Sequence, residues 1–168
     1  MTEDDLDHIA KQLSDILRRM SEVHSSRLGN VHDGPYHNMF FPEHLSPEKS
    51  FESVDEFIDA YRQLFLLVCT ETFTENLLSQ LPRDASITFT HGDLLPKNIM
   101  VDGTTITGII DWETGGFYPS YWEYCRMYDP CALTPAWERL LSRVFPEKPR
   151  QNEINAVRTI MDTVAHCF

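Results

Sequence analysis

Between Ile87 and Tyr118 the sequence sets two polar knots on either side of an apolar run. The first is His91-Gly92-Asp93-Leu94-Leu95-Pro96-Lys97-Asn98, and the second is Asp111-Trp112-Glu113. Phosphoryl transfer asks little covalent chemistry of a protein. It needs a carboxylate that accepts and aims a hydroxyl, and hard oxygen donors that hold magnesium against phosphates. Asp93 is the candidate catalytic base, and Asn98 and Asp111 are the candidate metal ligands. A bland role exists for each: a turn-capping carboxylate, an Asn in a turn, an Asp at a strand end. Their joint occurrence at this spacing favours the chemical roles. Glu113 reads equally as a water-mediated helper of the metal or as half of a salt bridge. Lys97 reads as a solvated loop charge, with phosphate contact the lesser alternative.

The elements that must position these groups follow from periodicity. Ile87 and Phe89 alternate with Ser86, Thr88 and Thr90, which predicts a short strand into the first knot. Residues 98–101 and 105–110 read as two strands joined at Asp102-Gly103, a favoured hairpin turn. Antiparallel pairing brings Asn98 and Asp111 to the same end of that ribbon, where a cation between them is geometrically reasonable. Before it, residues 5–24 repeat Leu6, Ile9, Leu13, Ile16, Leu17, Met20 and Val23 at helical steps, with acids at the start and Arg18 and Arg19 near the end. Residues 24–50 carry Gly, Pro and Asn punctuation and read as a long loop that packs through Val31, Tyr36, Met39, Phe40 and Phe41. Its histidines, His32, His37 and His44, match no compact metal-ligand spacing. Ser53-Val54-Asp55-Glu56 reads as a capping box before a core helix through Val68, and Thr74 as the cap of a short helix ending at Pro82. Ser120-Tyr121-Trp122-Glu123 reads as a second capping box. Thr134-Pro135 and Asn152 are expected to start the last two helices.

At 168 residues the chain is expected to form one domain, residues 1–168, with a real core. Its 42% apolar content excludes a disordered tail. A formal charge of −12 argues against nucleic acid, which demands a basic surface, and is compatible with a cationic substrate or simply a solvated acidic face. Cys69, Cys125, Cys131 and Cys167 form no Cys-x-x-Cys pair, and reduced thiols are expected. The acidic start lacks a signal-peptide core, and no apolar run approaches the ~20 residues that span a bilayer. The expectation is a cytoplasmic protein with no membrane partner.

The text Phe-Thr-His91-Gly-Asp93-Leu-x-Pro-x-Asn98-Ile-x-Val-Asp102, followed by Gly-Ile-Ile-Asp111-Trp-Glu113-x-x-Gly-x-Tyr-Pro119-x-Tyr-Trp-Glu123-Tyr, resembles the aminoglycoside phosphotransferase-like and choline-kinase-like family, particularly its fungal branch. The resemblance covers roughly residues 5–145 as that family's carboxy-terminal lobe. It implies an α+β fold, a mainly helical, protein-kinase-like lobe whose small antiparallel hairpin carries the catalytic loop. It implies ATP as co-substrate, Mg²⁺ as cofactor and a small-molecule hydroxyl as acceptor. By position it implies that Met100 and Ile110 lie under the nucleotide base, and that His91 buttresses the loop against the metal-binding Asp.

Departures from the family pattern qualify this reading. The chain has no Gly-x-Gly-x-x-Gly and no P-loop, and none of its four lysines stands in a strand like the phosphate-binding lysine of a kinase small lobe. The resemblance is therefore to the large lobe alone, with the nucleotide-binding small lobe missing and a partner or a missing segment expected to supply it. A non-catalytic remnant that binds a ligand or partner through the same cleft is the alternative to an active phosphotransferase. A metal phosphoesterase would need further His and Asp ligands, which the sequence does not cluster.

Overall fold

The computed structural model describes residues 2–168. They form six α-helices and five short strands. Helix α1 (Glu3–Ser21) opens on a capping box between Thr2 and Asp5 and turns Leu6, Ile9, Ala10, Leu13 and Met20 inward. Strand β1 (Gly29–Asn30) interrupts the long loop. Helices α2 (Val54–Phe65) and α3 (Glu71–Leu78) precede strand β2 (Ile87–Thr90). Strands β3 (Ile99–Asp102) and β4 (Thr105–Ile109) make the hairpin, with Gly103 at φ 58° in its turn. Strand β5 (Gly116–Pro119) and helices α4 (Trp122–Met127), α5 (Pro135–Val144) and α6 (Gln151–Cys167) complete the chain. The α+β class with small antiparallel sheets is as expected. None of the described helices is long and apolar enough to cross a membrane, and all four cysteines are free.

The strands make two separate sheets, β1-β5-β2 and the hairpin β3-β4. Two cores hold them. One gathers α2, α3, α6 and the loop 31–50 around aromatic rings. Tyr36 stacks on Tyr118 at 4.6 Å, Phe41 on Tyr61 at 4.8 Å, and Phe57 meets Trp122 edge-on at 5.3 Å. Such offset and edge geometries suit the ring quadrupoles. The other core packs α1 against α5 through Leu13, Trp137 and Leu141, and closes over Leu94 and Met127. The long loop therefore packs as expected, through Tyr36, Phe40 and Phe41, while Met39 and Val31 remain exposed.

Several local readings are corrected. Helix α2 stops at Phe65, leaving Val68 exposed. The cap of α3 is Thr70, whose side chain accepts from Phe73 N, whereas Thr74 is buried inside the helix and donates to Thr70 O. Helix α6 starts at Gln151 without a side-chain cap, so Asn152 lies inside it. At the Ser53 box only half the reciprocal pair forms: Glu56 reaches past Ser53 to the N–H of Glu52. Strand β2 is inverted relative to its apolar pattern. Thr88 and Thr90 are buried, and Ile87 and Phe89 are half-buried, because Phe89 stacks on Trp112 and meets Phe117 rather than entering a core.

Trp122 is fully buried where the aromatic core meets α4, and its Nε1 has no hydrogen-bond partner among the described residues. Its value is packing. Trp122→Ala is expected to cost about 3–5 kcal/mol of unfolding free energy, read as a shifted urea midpoint. Trp122→Phe is expected to cost clearly less, since no hydrogen bond is lost.

Candidate active site

Strand β2 delivers the chain to His91, where the backbone must turn sharply. Gly92 adopts φ +86°, and a Cβ there would lie 2.9 Å from Thr114 Oγ1 and 3.0 Å from the Phe40 ring. Only glycine fits that conformation and approach without strain. Asp93 follows, and Pro96–Asn98 form a short 3-10 turn leading into β3. Leu94 is buried in the core against α1 and α5, so this loop is anchored from below.

Asp93 is buried, and its carboxylate is met from several sides. Arg126 Nη2 approaches Oδ1 at 3.2 Å. Asn98 Nδ2 donates to Oδ2 at 3.1 Å and to the Asp93 carbonyl at 2.7 Å. Lys97 Nζ lies 2.8 Å from Oδ2. Lys97 is thus not the free solvated charge expected from its loop position, and its hydrogen bond to Asp93 raises the ammonium pKa. The Asn98 amide nitrogen is turned onto Asp93, which leaves its carbonyl oxygen as the donor available to a cation.

The hairpin register brings the two knots together as expected. Ile99 pairs with Ile109, and Ile110 N donates to Asn98 O at 3.0 Å. Asp111 follows in the left-handed region, φ 66° and ψ 57°. Asp tolerates that region better than most residues, yet such backbone persists only where neighbours over-determine it. Here His91 Nε2 bonds Ile110 O at 2.9 Å and Trp112 Nε1 donates to Ile109 O at 2.8 Å. The charge of Asp111 is felt by both His91 and Lys97. Asp111 and Glu113 are exposed, and neither forms an ion pair among the described residues.

Beneath the loop stand two residues whose part the sequence reading missed. Glu123 was expected in a capping box with Ser120. Helix α4 has no side-chain cap, and the Glu123 carboxylate instead accepts the N–H groups of His91 at 2.5 Å and Gly92 at 3.2 Å. Burial pushes Glu123 up to about 7, against the pull of the His91, Gly92 and Leu94 N–H groups and of Arg126. Arg126 is buried too. It donates from Nε to Gly92 O, from Nη1 to Asp129 and from Nη2 to Asp93, under the Phe40 ring. The available signal was two charges three residues apart in the apolar run Tyr121–Met127, too buried a setting for free surface charges.

A cation would find sparse but suitable donors here. No group of three or more His, Cys, Asp and Glu side chains among the described residues could hold a metal. The Asn98 amide oxygen and the Asp111 carboxylate fit magnesium, which keeps waters and phosphate oxygens as its other ligands. Met100 and Ile110 are exposed beside them. Gly108, opposite Met100, has nothing within 4 Å of where a Cβ would stand, so the surface over the hairpin is open.

His91 bridges the knots as a neutral ring. Nδ1 accepts the Asp93 N–H at 3.2 Å, and Nε2–H donates to Ile110 O. Burial holds its pKa below the usual 6.5. The unfolded chain therefore binds this proton first. The residue's contribution to stability is complete above pH 6.5 and is lost as pH falls through the lowered folded midpoint. Its imidazole carbon shifts are expected to titrate below pH 6.5 in NMR, and a midpoint at or above 6.5 would contradict the neutral bridge.

The structure is similar to that of a thermostable mutant of aminoglycoside phosphotransferase APH(4)-Ia in a ternary complex with ADP and hygromycin B. The TM-score is 0.63 at 15% identity, covering 98% of this chain and 60% of that one. The apo form of that thermostable protein gives 0.59 at 14% identity with the same coverage. The chain thus spans 60% of the length of these solved relatives, and identity this low speaks to the fold. Comparison with proteins of curated function gave no match. A family profile described as phosphotransferase enzyme family matches residues 1–151, and on that match the chain belongs to the phosphotransferase enzyme family.

Proposed function

We propose that this chain, as a single domain over residues 1–168, is the large lobe of an ATP- and magnesium-dependent phosphotransferase of the aminoglycoside phosphotransferase type, of its fungal branch. Its acceptor is the hydroxyl of a small molecule. The observation that carries the reading is the junction of Asp93 with Asn98 at 3.1 Å, at the hairpin end where Ile110 bonds Asn98. One buried carboxylate thereby stands beside the two oxygen donors suited to a metal-bound triphosphate.

In this scheme Asp93 orients the acceptor hydroxyl. The hydroxyl oxygen bonds to the γ-phosphorus, the bond from that phosphorus to the β,γ-bridging oxygen breaks, and the electron pair leaves on ADP. The hydroxyl proton passes to Asp93. Asn98 and Asp111 would hold magnesium, which supplies charge neutralisation on the phosphates when bound. Met100 and Ile110 form an apolar floor for the nucleotide base. His91, Glu123 and Arg126 position the loop. The other part of the nucleotide cleft comes from a second lobe, carried by a further segment or a partner. The cytoplasm, where ATP and magnesium are abundant, is the proposed location.

A second reading has support of its own. Met100, Val101, Ile110 and Trp112 leave an exposed apolar face at the hairpin, which suits a non-catalytic module that binds a ligand or partner. Two variants separate the readings. Asp93→Asn is expected to lower turnover about 10²–10⁴-fold and to leave Mg-ATP affinity unchanged. Asn98→Ala or Asp111→Asn is expected to weaken magnesium-dependent nucleotide binding at least about ten-fold, the loss that even an outer partner of a metal site causes. Turnover that survives Asp93→Asn would overturn the catalytic assignment. Nucleotide binding without turnover in the unaltered chain would favour the binding module.

A further inference from the structure

The nitrogen-bearing side chains near Asp93 differ in their freedom to move. Arg126 is buried, and its Nε, Nη1 and Nη2 are all committed, to Gly92 O, Asp129 and Asp93. His91 uses both ring nitrogens. Lys97 alone reaches out: its side chain is 63% exposed, against 10% for Asp93. Of the other lysines, Lys11 lies on α1, Lys49 in the long loop and Lys148 between α5 and α6.

The direction of approach matters as much as the charge. Arg126 and Asn98 meet the Asp93 carboxylate from the buried side. Lys97 meets Oδ2 from the exposed side, which is the side open to an incoming hydroxyl. With its ammonium 2.8 Å from Oδ2, Lys97 stands where that hydroxyl would have to be. An acceptor can use Asp93 only after Lys97 has moved.

We propose that Lys97 is a two-position residue: it closes over Asp93 in the free protein, and turns onto the terminal phosphate of the bound nucleotide, freeing Asp93 for the acceptor. This rests on the phosphotransferase reading and deepens it. The Lys97 end of the pair is exposed and Asp93 keeps Arg126 and Asn98 as partners, so the ammonium can leave without stranding the carboxylate. A terminal phosphate carries more negative charge than one carboxylate, and its oxygens are strong acceptors for an ammonium. Transfer spreads charge over the equatorial oxygens of the moving phosphoryl group, and a donor already on them stabilises that distribution. Lys97 thereby acts twice, as a cover that excludes unproductive ligands from Asp93 and as the cation on the transferred group.

The test is calorimetric titration of the full chain with Mg-ATP and with Mg-ADP, for the unaltered protein, Lys97→Met and Lys97→Arg. The loss of one charge-assisted hydrogen bond is expected to weaken Mg-ATP about ten-fold or more in Lys97→Met. Mg-ADP, which lacks the terminal phosphate, is expected to bind Lys97→Met as it binds the unaltered chain. Lys97→Arg is expected to recover most of the Mg-ATP affinity. Equal losses for both nucleotides, or no loss for Mg-ATP, would overturn the role of Lys97 and leave the phosphotransferase reading standing. If the chain binds neither nucleotide even with its second lobe supplied, that reading falls and the role of Lys97 falls with it.

Discussion

Glu123 and Arg126 stand one helical turn apart on α4, both buried, and between them hold the loop that carries Asp93. Glu123 takes the loop's N–H groups at His91 and Gly92, and Arg126 takes the Gly92 carbonyl and the Asp93 carboxylate. A buried charge is costly unless its hydrogen-bonding capacity is filled. Here Glu123 is filled by backbone N–H groups, and Arg126 by the Gly92 carbonyl and the Asp93 and Asp129 carboxylates, so backbone groups at the sharp turn of Gly92 are not left unpaired. The two needs meet each other, and the loop's path becomes a consequence of where α4 lies. Helix α4 is fixed in turn by Trp122 in the aromatic core and by Met127 in the core between α1 and α5. Both cores therefore bear on the placement of one carboxylate.

That dependence explains which parts of the molecule could be read from sequence. The hairpin was legible because Asp102-Gly103 and the two short apolar runs beside it encode it within about a dozen residues. The register then put Asn98 beside Ile110 without further information. Helix α5 was legible because Thr134 and Pro135 are local signals, and Thr134 does cap Trp137. Glu123 was not legible in the same way. Ser-x-x-Glu is a sound local pattern, but its carboxylate found better partners in the loop, 32 residues back at His91. Lys97 looked solvated because it stands in a loop, whereas its partner is a carboxylate that the 3-10 turn brings within reach. Strand β2 misled for a related reason. Its threonines are buried with Thr90 Oγ1 donating to Thr88 O, and its Phe89 faces Trp112 and Phe117, which arrive from later in the chain. Local chemistry was readable, and the long-range partner that outcompeted it was not.

The two ends of the site are held unequally, and this decides how a ligand must engage it. Asp93 and Asn98 are buried and tied to the cores through α4 and Leu94. Asp111 is exposed, in a left-handed conformation, at the open end of a two-stranded ribbon. An isolated hairpin is marginal alone, and this one leaves Met100, Val101 and Ile110 uncovered. The exposed end is tied to the buried one by the bond from Ile110 N to Asn98 O and by the His91 ring, and the hairpin is held to α1 by Gln12, which bonds Thr104 O and Ile106 N. The ring can serve both sides only while neutral, since Nδ1 must keep its lone pair for the Asp93 N–H and Nε2 its proton for Ile110 O. Burial of the ring, which disfavours its charged form, thus favours the state in which Nδ1 keeps its bond to the Asp93 N–H. A ligand spanning the two ends would meet a buried, hydrogen-bonded carboxylate at Asp93 and an exposed one, unpaired among the described residues, at Asp111, so its fit would be set chiefly at Asp93.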